Sequence, residues 1–146
     1  MSGNDDTRHN TEHFGDDFAA RLAALEANTT ADEQAAIAAL PSGSALLIVR
    51  RGPTVGARFL LDSNSTIAGR HPDADIFLDD VTVSRRHAEF VRSGSSFAIR
   101  DLDSLNGTYL DGERTAGGPL SEGSEIQIGK YRMTFYPSRH DLPKGA

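Results

Sequence analysis

Residues 125–135 read Glu-Ile-Gln-Ile-Gly-Lys-Tyr-Arg-Met-Thr-Phe. Ile126 and Ile128 alternate with polar residues, Gly129-Lys130 interrupts, and Tyr131, Met133 and Phe135 resume the alternation. A period of two on both sides of a two-residue turn is the pattern of a hairpin with one face buried. Upstream, Tyr109-Leu110 leads into Asp111-Gly112, a dipeptide suited to the positive φ angles of a type I′ turn. Further short apolar runs follow the same logic. They are Ala45-Leu46-Leu47-Ile48-Val49, Arg58-Phe59-Leu60-Leu61, residues 75–78, residues 88–91 and Phe97-Ala98-Ile99. Gly52-Pro53, Gly56, Gly94 and Glu122-Gly123 supply turns between them. No long helical pattern interrupts the series. Residues 45–136 are therefore expected to form an all-β, antiparallel sandwich or barrel, not a parallel α/β sheet.

The rest of the chain differs in composition. The protein has 146 residues, 15 Lys+Arg against 21 Asp+Glu, and a formal net charge of -6. Residues 1–44 hold eight of the acids and two of the bases, so this tail carries the whole excess. An acidic, alanine-rich segment with few aromatics has little to bury and is expected to be flexible when unbound. Within it, Phe14, Phe18, Leu22 and Leu25 share one face of a helix. A second short helix is expected from Thr30, with Glu33 completing a capping box, until Pro41 and Gly43 stop it. Residues 137–146 read as a loose end.

Composition also excludes function classes. The acidic balance argues against a nucleic-acid binder held by phosphate charge. No apolar run approaches a membrane span, and the polar, acidic start is unlike a signal peptide. A cytoplasmic protein is expected. Without cysteine there is no disulfide scaffold, thiol nucleophile or Cys-ligated metal. His9, His13, His71, His87 and His140 lack metal-ligand spacing, and Asp73, Asp75, Asp79 and Asp80 lack the glycine and glutamate of a calcium loop. Neither metal nor cofactor is expected.

Three polar clusters fall in the connecting loops: Gly69-Arg70-His71, Val83-Ser84-Arg85-Arg86-His87 and Ser104-Leu105-Asn106-Gly107-Thr108. Arg70 and Arg85 offer planar, permanently charged forks that match a phosphate. Ser84 adds a hydroxyl donor, and Asn106 an amide able to pair with a peptide backbone through both its groups. No activated nucleophile accompanies them. Ser84 and His87 lack the Gly-x-Ser-x-Gly elbow of a hydrolase. Such a set holds a dianion rather than breaking a bond, so the chain is expected not to be an enzyme.

Gly69-Arg70, Ser84-Arg85-x-His87 and Asn106-Gly107, in this order within an all-β block, resemble the forkhead-associated (FHA) domain, a phosphothreonine-reading module. The resemblance covers residues 45–136 and implies an FHA-type antiparallel β-sandwich with the phosphopeptide site on loops at one end. It implies that Arg70 and Ser84 contact the phosphate and Arg85 the phosphate or adjoining peptide. Asn106, with Leu105 beside it, would hold the ligand backbone. It makes His87 a structural brace, and Gly69 and Gly107 residues of special backbone conformation.

Longer stretches, among them residues 43–62 and 68–90, look like the actinobacterial GarA/OdhI regulators. In that group a Ser/Thr protein kinase phosphorylates the tail, which then folds back on its own FHA domain. The unphosphorylated form inhibits a metabolic enzyme, 2-oxoglutarate dehydrogenase. The group's tail motif is a Thr-Thr pair with Phe three residues after the second. Here Thr11 takes the place of the second Thr, with Phe14 at +3, while Asn10 replaces the first. Thr11 is thus the expected phosphorylation site, and its phosphopeptide, or one on another protein, the expected ligand. The alternative is a constitutive, phosphate-independent interaction module with an inert tail.

Overall fold

The computed structural model describes residues 29–142, and the chain divides into two units, Met1–Ala36 and Ile37–Ala146. Thr11 and the Phe14–Leu25 face lie outside the described residues. Among the described residues one α-helix, α1 (Ala31–Ala38), follows Thr30. Its start is the expected capping box: the Glu33 amide donates to Thr30 Oγ1 at 3.1 Å, and the Thr30 amide to Glu33 Oε1 at 3.0 Å. Two otherwise unpaired amides are thereby satisfied.

Eleven strands follow: β1 (Ala45–Arg51), β2 (Arg58–Leu61), β3 (Ser65–Gly69), β4 (Ile76–Phe77), β5 (Ala88–Ser93), β6 (Ser96–Asp101), β7 (Thr108–Leu110), β8 (Glu113–Thr115), β9 (Gly117–Leu120), β10 (Glu125–Ile128) and β11 (Tyr131–Pro137). They form a six-stranded sheet, β2-β1-β11-β10-β7-β8, and a five-stranded sheet, β4-β3-β5-β6-β9. All pairs are antiparallel except β3 with the two-residue β4.

The hairpin that decides the fold lies where expected, with Ile126 opposite Met133 and Ile128 opposite Tyr131. These four side chains are at most 2% exposed. They meet Ala68, Ala88, Phe90 and Ile99 of the second sheet in one core, where Phe97 and Phe135 pack edge to face at 5.6 Å. Edge-to-face contact suits the charge distribution of aromatic rings. Asp111 and Gly112 both take positive φ, 51° and 88°, and join β7 to β8 with no further residue. That is the turn expected from their identity.

Three strands carried no apolar signal. Strand β3 is built from Ser, Thr, Ile, Ala and Gly; β8 and β9 have no alternation. Pro119 sits in β9 at the edge of its sheet, where its missing amide is not needed.

The ordered body also exceeds residues 45–136. Ile37 and Leu40 are buried, and the Ser138 hydroxyl donates to the Leu40 carbonyl at 2.9 Å. The Gly43 amide donates to Asp141 Oδ2 at 2.7 Å, and Ser42 donates to the same carboxylate. Residues 137–142 are therefore a clasp rather than the loose end their composition implied. The partners lie 98 or 99 residues apart, so local sequence carries no sign of them.

Candidate functional site

Four connections meet at one end of the two sheets. They are β3–β4, β4–β5, β6–β7 and the β10–β11 turn, and together with Gly69 at the end of β3 they contain every expected site residue except Thr11. The junction begins at Gly69. A β-carbon built there would lie 1.9 Å from the Arg85 carbonyl oxygen, so the β4–β5 loop touches the backbone of β3. The contact is fastened by the Arg70 amide donating to the Ser84 carbonyl at 3.0 Å and the His71 amide to the Arg85 carbonyl at 3.4 Å. Gly69 itself does not have positive φ. Close approach, not backbone conformation, demands glycine there, which corrects the expectation; Gly107, at φ 87°, fits it.

The side chains are then aimed by what they already bond. Arg70 Nε donates to the Val83 carbonyl at 3.1 Å, which orients the guanidinium and leaves its two terminal nitrogens outward. Ser84 Oγ accepts from the Leu105 amide at 3.0 Å, so its own O–H is available to a ligand. Asn106 Nδ2 donates to the Thr82 carbonyl at 2.9 Å, leaving its carbonyl and second N–H. Arg70, Arg85 and Asn106 are exposed, and Leu105, 84% exposed, forms an apolar lip beside them. The arrangement is a shallow cradle of donors around Arg70 and Ser84, with a backbone-reading amide next to it. His87 Nδ1 accepts from the Ser84 amide and its Nε2 faces the Gly107 carbonyl, so Ser84 and His87 do not form a nucleophile–base pair.

His87 is fully buried and uses both ring nitrogens. Nδ1 accepts from the Ser84 amide at 3.1 Å, and Nε2 lies 2.9 Å from the Gly107 carbonyl. A carbonyl can only accept, so Nε2 carries the proton and the ring is neutral. It thus ties the loop of Ser84 to the loop of Asn106. Burial pushes its pKa down, against the upward pull of the Gly107 carbonyl and Asp101. Protonation would set a second donor against the Ser84 amide. A histidine with a lowered folded pKa destabilises the fold as pH drops below its unfolded value of about 6.5. Stability measured by denaturant should therefore be fully present above that pH and decline below it, by at most about 1.4 kcal/mol per pH unit. The decline should end once pH falls below the lowered native value. In His87→Gln this slope should be absent between pH 6.5 and 5; an unchanged slope would refute the role.

Sequence reading missed the second tier. Burial disfavours the Asp101 carboxylate, but hydrogen bonds from Ser104 and Thr108 outweigh it and hold its pKa low. Ser104 Oγ in turn accepts the Gly107 amide at 3.0 Å, fixing the turn that presents Asn106. Thr82 links two loops, its carbonyl accepting from Asn106 and its Oγ1 from the Lys130 amide at 3.1 Å. The Arg114 side chain lies directly over Gly107. Among the described residues there is no metal-ligand cluster and no helix long and apolar enough to cross a membrane.

Residues 66–129 match the family model of the FHA domain, a stretch that holds the β3–β4, β4–β5 and β6–β7 connections just described. The chain is similar to the glycogen accumulation regulator GarA of Mycolicibacterium smegmatis, 53% identical over 131 residues, covering 90% of this chain and 83% of that one. It is 61% identical over 101 residues to the oxoglutarate dehydrogenase inhibitor of Corynebacterium jeikeium, covering 69% and 70%. Among solved structures, an FHA domain studied for its phosphothreonine-dependent interactions superposes with a TM-score of 0.59 at 33% identity, covering 63% of this chain and 94% of that one. With the cradle's geometry, these likenesses establish that the chain belongs to the FHA family of phosphothreonine-binding modules, as a non-enzymatic regulator of the GarA/OdhI type.

Proposed function

We propose that the chain is a cytoplasmic switch on a metabolic enzyme, with its acidic N-terminal segment as the control element. A Ser/Thr protein kinase phosphorylates Thr11. The dianion then enters the chain's own cradle, with Arg70 and Ser84 on the phosphate, Arg85 on the phosphate or adjoining peptide, and Asn106 beside Leu105 on the peptide backbone. Occupancy blocks the surface that otherwise engages the enzyme. The observation that carries this reading is the junction itself: Arg70 and Ser84 are pre-oriented by Val83 and Leu105 with their remaining donors outward. A preorganised site loses little freedom on binding. The enzyme class comes from the relative named an oxoglutarate dehydrogenase inhibitor.

The energetics suit a switch. Two or three charge-assisted hydrogen bonds of about 1.5–3 kcal/mol each sum to about 3–9 kcal/mol, and the micromolar order that suits a switch corresponds to about 8 kcal/mol. Tethering through the 20 residues from Thr11 to the start of α1 gives an effective concentration of about a millimolar, so a micromolar site is about 99.9% self-occupied. Such a linker spans about 25 Å, comparable with the width of a small sandwich.

The test compares the full chain before and after stoichiometric phosphorylation. Unphosphorylated, it should bind a peptide of residues 6–20 phosphorylated on Thr11, ignore the unmodified peptide, and inhibit 2-oxoglutarate dehydrogenase. Phosphorylated, it should do neither, and Thr11→Ala should make it indifferent to the kinase. If Thr11→Ala is still switched off, the site lies elsewhere, with Thr7, Thr29 and Thr30 next in line.

A further inference from the structure

The loop junction opens on one side into a groove of about 570 Å³. It starts at Thr82 and Asn106 and continues over Tyr109, Gln127, Lys130 and Arg132. Directly paired residues project from the same face of a sheet. The ladder therefore sets Arg114, Tyr109, Gln127, Arg132 and Arg51 in one row across β8, β7, β10, β11 and β1. The next position inward along β10, Ile128, is buried, so the row lies on the outer face. Lys130 joins it from the adjoining turn. Lys130 and Arg132 thus line one polar, aromatic-floored channel, with Arg114 and Arg51 at the two ends of the row. The one acid lining it, Glu125, stands 4.0 Å from Arg132, and both side chains are nearly half exposed. Such a pair is weak and displaceable.

Charge on this chain is segregated. Residues 45–146 are neutral as a whole, and the excess negative charge sits in residues 1–44. Acids stand on both sides of Thr11: Asp5 and Asp6 precede it, set apart from it by Arg8 and His9, and Glu12, Asp16 and Asp17 follow it. An extended peptide covers about 17–20 Å in five or six residues, and five strands 4.8 Å apart span about 19 Å. A peptide anchored by its phosphate at Arg70 and by its backbone at Asn106, and laid along the groove, would carry a residue five or six positions from the phosphothreonine across this row.

We propose that the row is an acid-reading extension of the phosphothreonine site. It selects phosphopeptides with carboxylates five and six residues after the phosphothreonine, Asp16 and Asp17 in this chain, through Arg114, Lys130 and Arg132. Tyr109 and Gln127 form the floor on which that stretch of peptide lies. The inference rests on the phosphopeptide reading above and deepens it by naming the ligand's sequence class.

Fluorescence anisotropy on the full unphosphorylated chain tests it with the residue 6–20 peptide phosphorylated on Thr11. Replacing Asp16 and Asp17 by Asn in the peptide should weaken binding about fivefold at low salt, as two exposed charge pairs provide, and less at high salt. Asp6→Asn should change little. In an Arg114→Gln, Arg132→Gln chain most of the difference between the native and Asn-substituted peptides should vanish while phosphate is still required. Lys130→Gln, outside the strands, should narrow the difference without touching the ladder. Equal binding of the two peptides to the native chain, or an equal loss from Asp6→Asn, overturns the acid-reading row and leaves the phosphate site standing. Absence of any phosphate dependence overturns both.

Discussion

Arg70→Ala should weaken binding of the Thr11 phosphopeptide about 100-fold while leaving the fold intact. Two outward-facing guanidinium nitrogens are available to the phosphate, and each charge-assisted bond contributes about 1.5–3 kcal/mol, or roughly ten- to 150-fold in Kd. Structurally the side chain contributes one hydrogen bond, from Nε to the Val83 carbonyl, at an exposed position. The bond that fastens the two loops, from the Arg70 amide to the Ser84 carbonyl, belongs to the backbone and survives the substitution. Thermal stability should therefore change by less than about 1 kcal/mol.

Arg70→Lys separates charge from geometry. Lysine keeps the cation but is a point charge on a flexible stem, without a fork that can hold Val83 and the phosphate at once. It should recover part of the affinity, ending about tenfold below native. Isothermal titration of the three chains with phosphorylated and unmodified peptide decides the matter. If Arg70→Ala binds as the native chain does, the phosphate-independent module becomes the correct description. In the same variant the kinase should no longer relieve inhibition of the dehydrogenase, because the phosphorylated tail has lost its seat.

Much of this was legible in the chain because the signals are local. Strand β11 alternates along its own length, and Asp111-Gly112 encodes its turn in two residues. The three clusters around Arg70, Ser84 and Asn106 are contiguous in sequence. What was not legible depends on partners distant along the chain. Strands β3, β8 and β9 owe their places to pairing with neighbours rather than to an apolar rhythm. Arg114 and Arg132 look like ordinary surface charges until the ladder sets them in one row with Tyr109 and Gln127. Ser138 and Asp141 read as solvated polar residues until Leu40 and Gly43 meet them. His87 is an intermediate case. The FHA motif implies a bracing role, but only the fold reveals that its two nitrogens join Ser84 to Gly107.

Among the described glycines, Gly69→Ala should be the most disruptive added methyl, and it should damage stability and binding together. The added carbon would lie 1.9 Å from the Arg85 oxygen, 2.7 Å from the Arg85 carbonyl carbon and 3.1 Å from the Ser84 oxygen. All three are backbone atoms, so no side chain can swing aside. Relief requires the β4–β5 loop to retreat by more than about 1 Å to reach ordinary contact. The retreat stretches the Arg70–Ser84 and His71–Arg85 backbone bonds and carries Ser84 and Arg85 away from Arg70. Overpacking of this kind costs about 1–3 kcal/mol, and the weakened hydrogen bonds add to it. For a body of this size, a loss of about 3 kcal/mol lowers Tm by roughly 12–20 °C. Well below the new Tm, phosphopeptide affinity should still be reduced at least about tenfold, because the phosphate ligands no longer converge. Measuring both quantities matters. A loss of stability with native affinity in the remaining folded chain would mean that the loop relaxes elsewhere and that the Gly69 contact does not set the cradle. An unchanged Tm would mean that the close approach itself is absent in solution. Loss of both identifies Gly69 as the point where the scaffold's packing becomes the site's geometry.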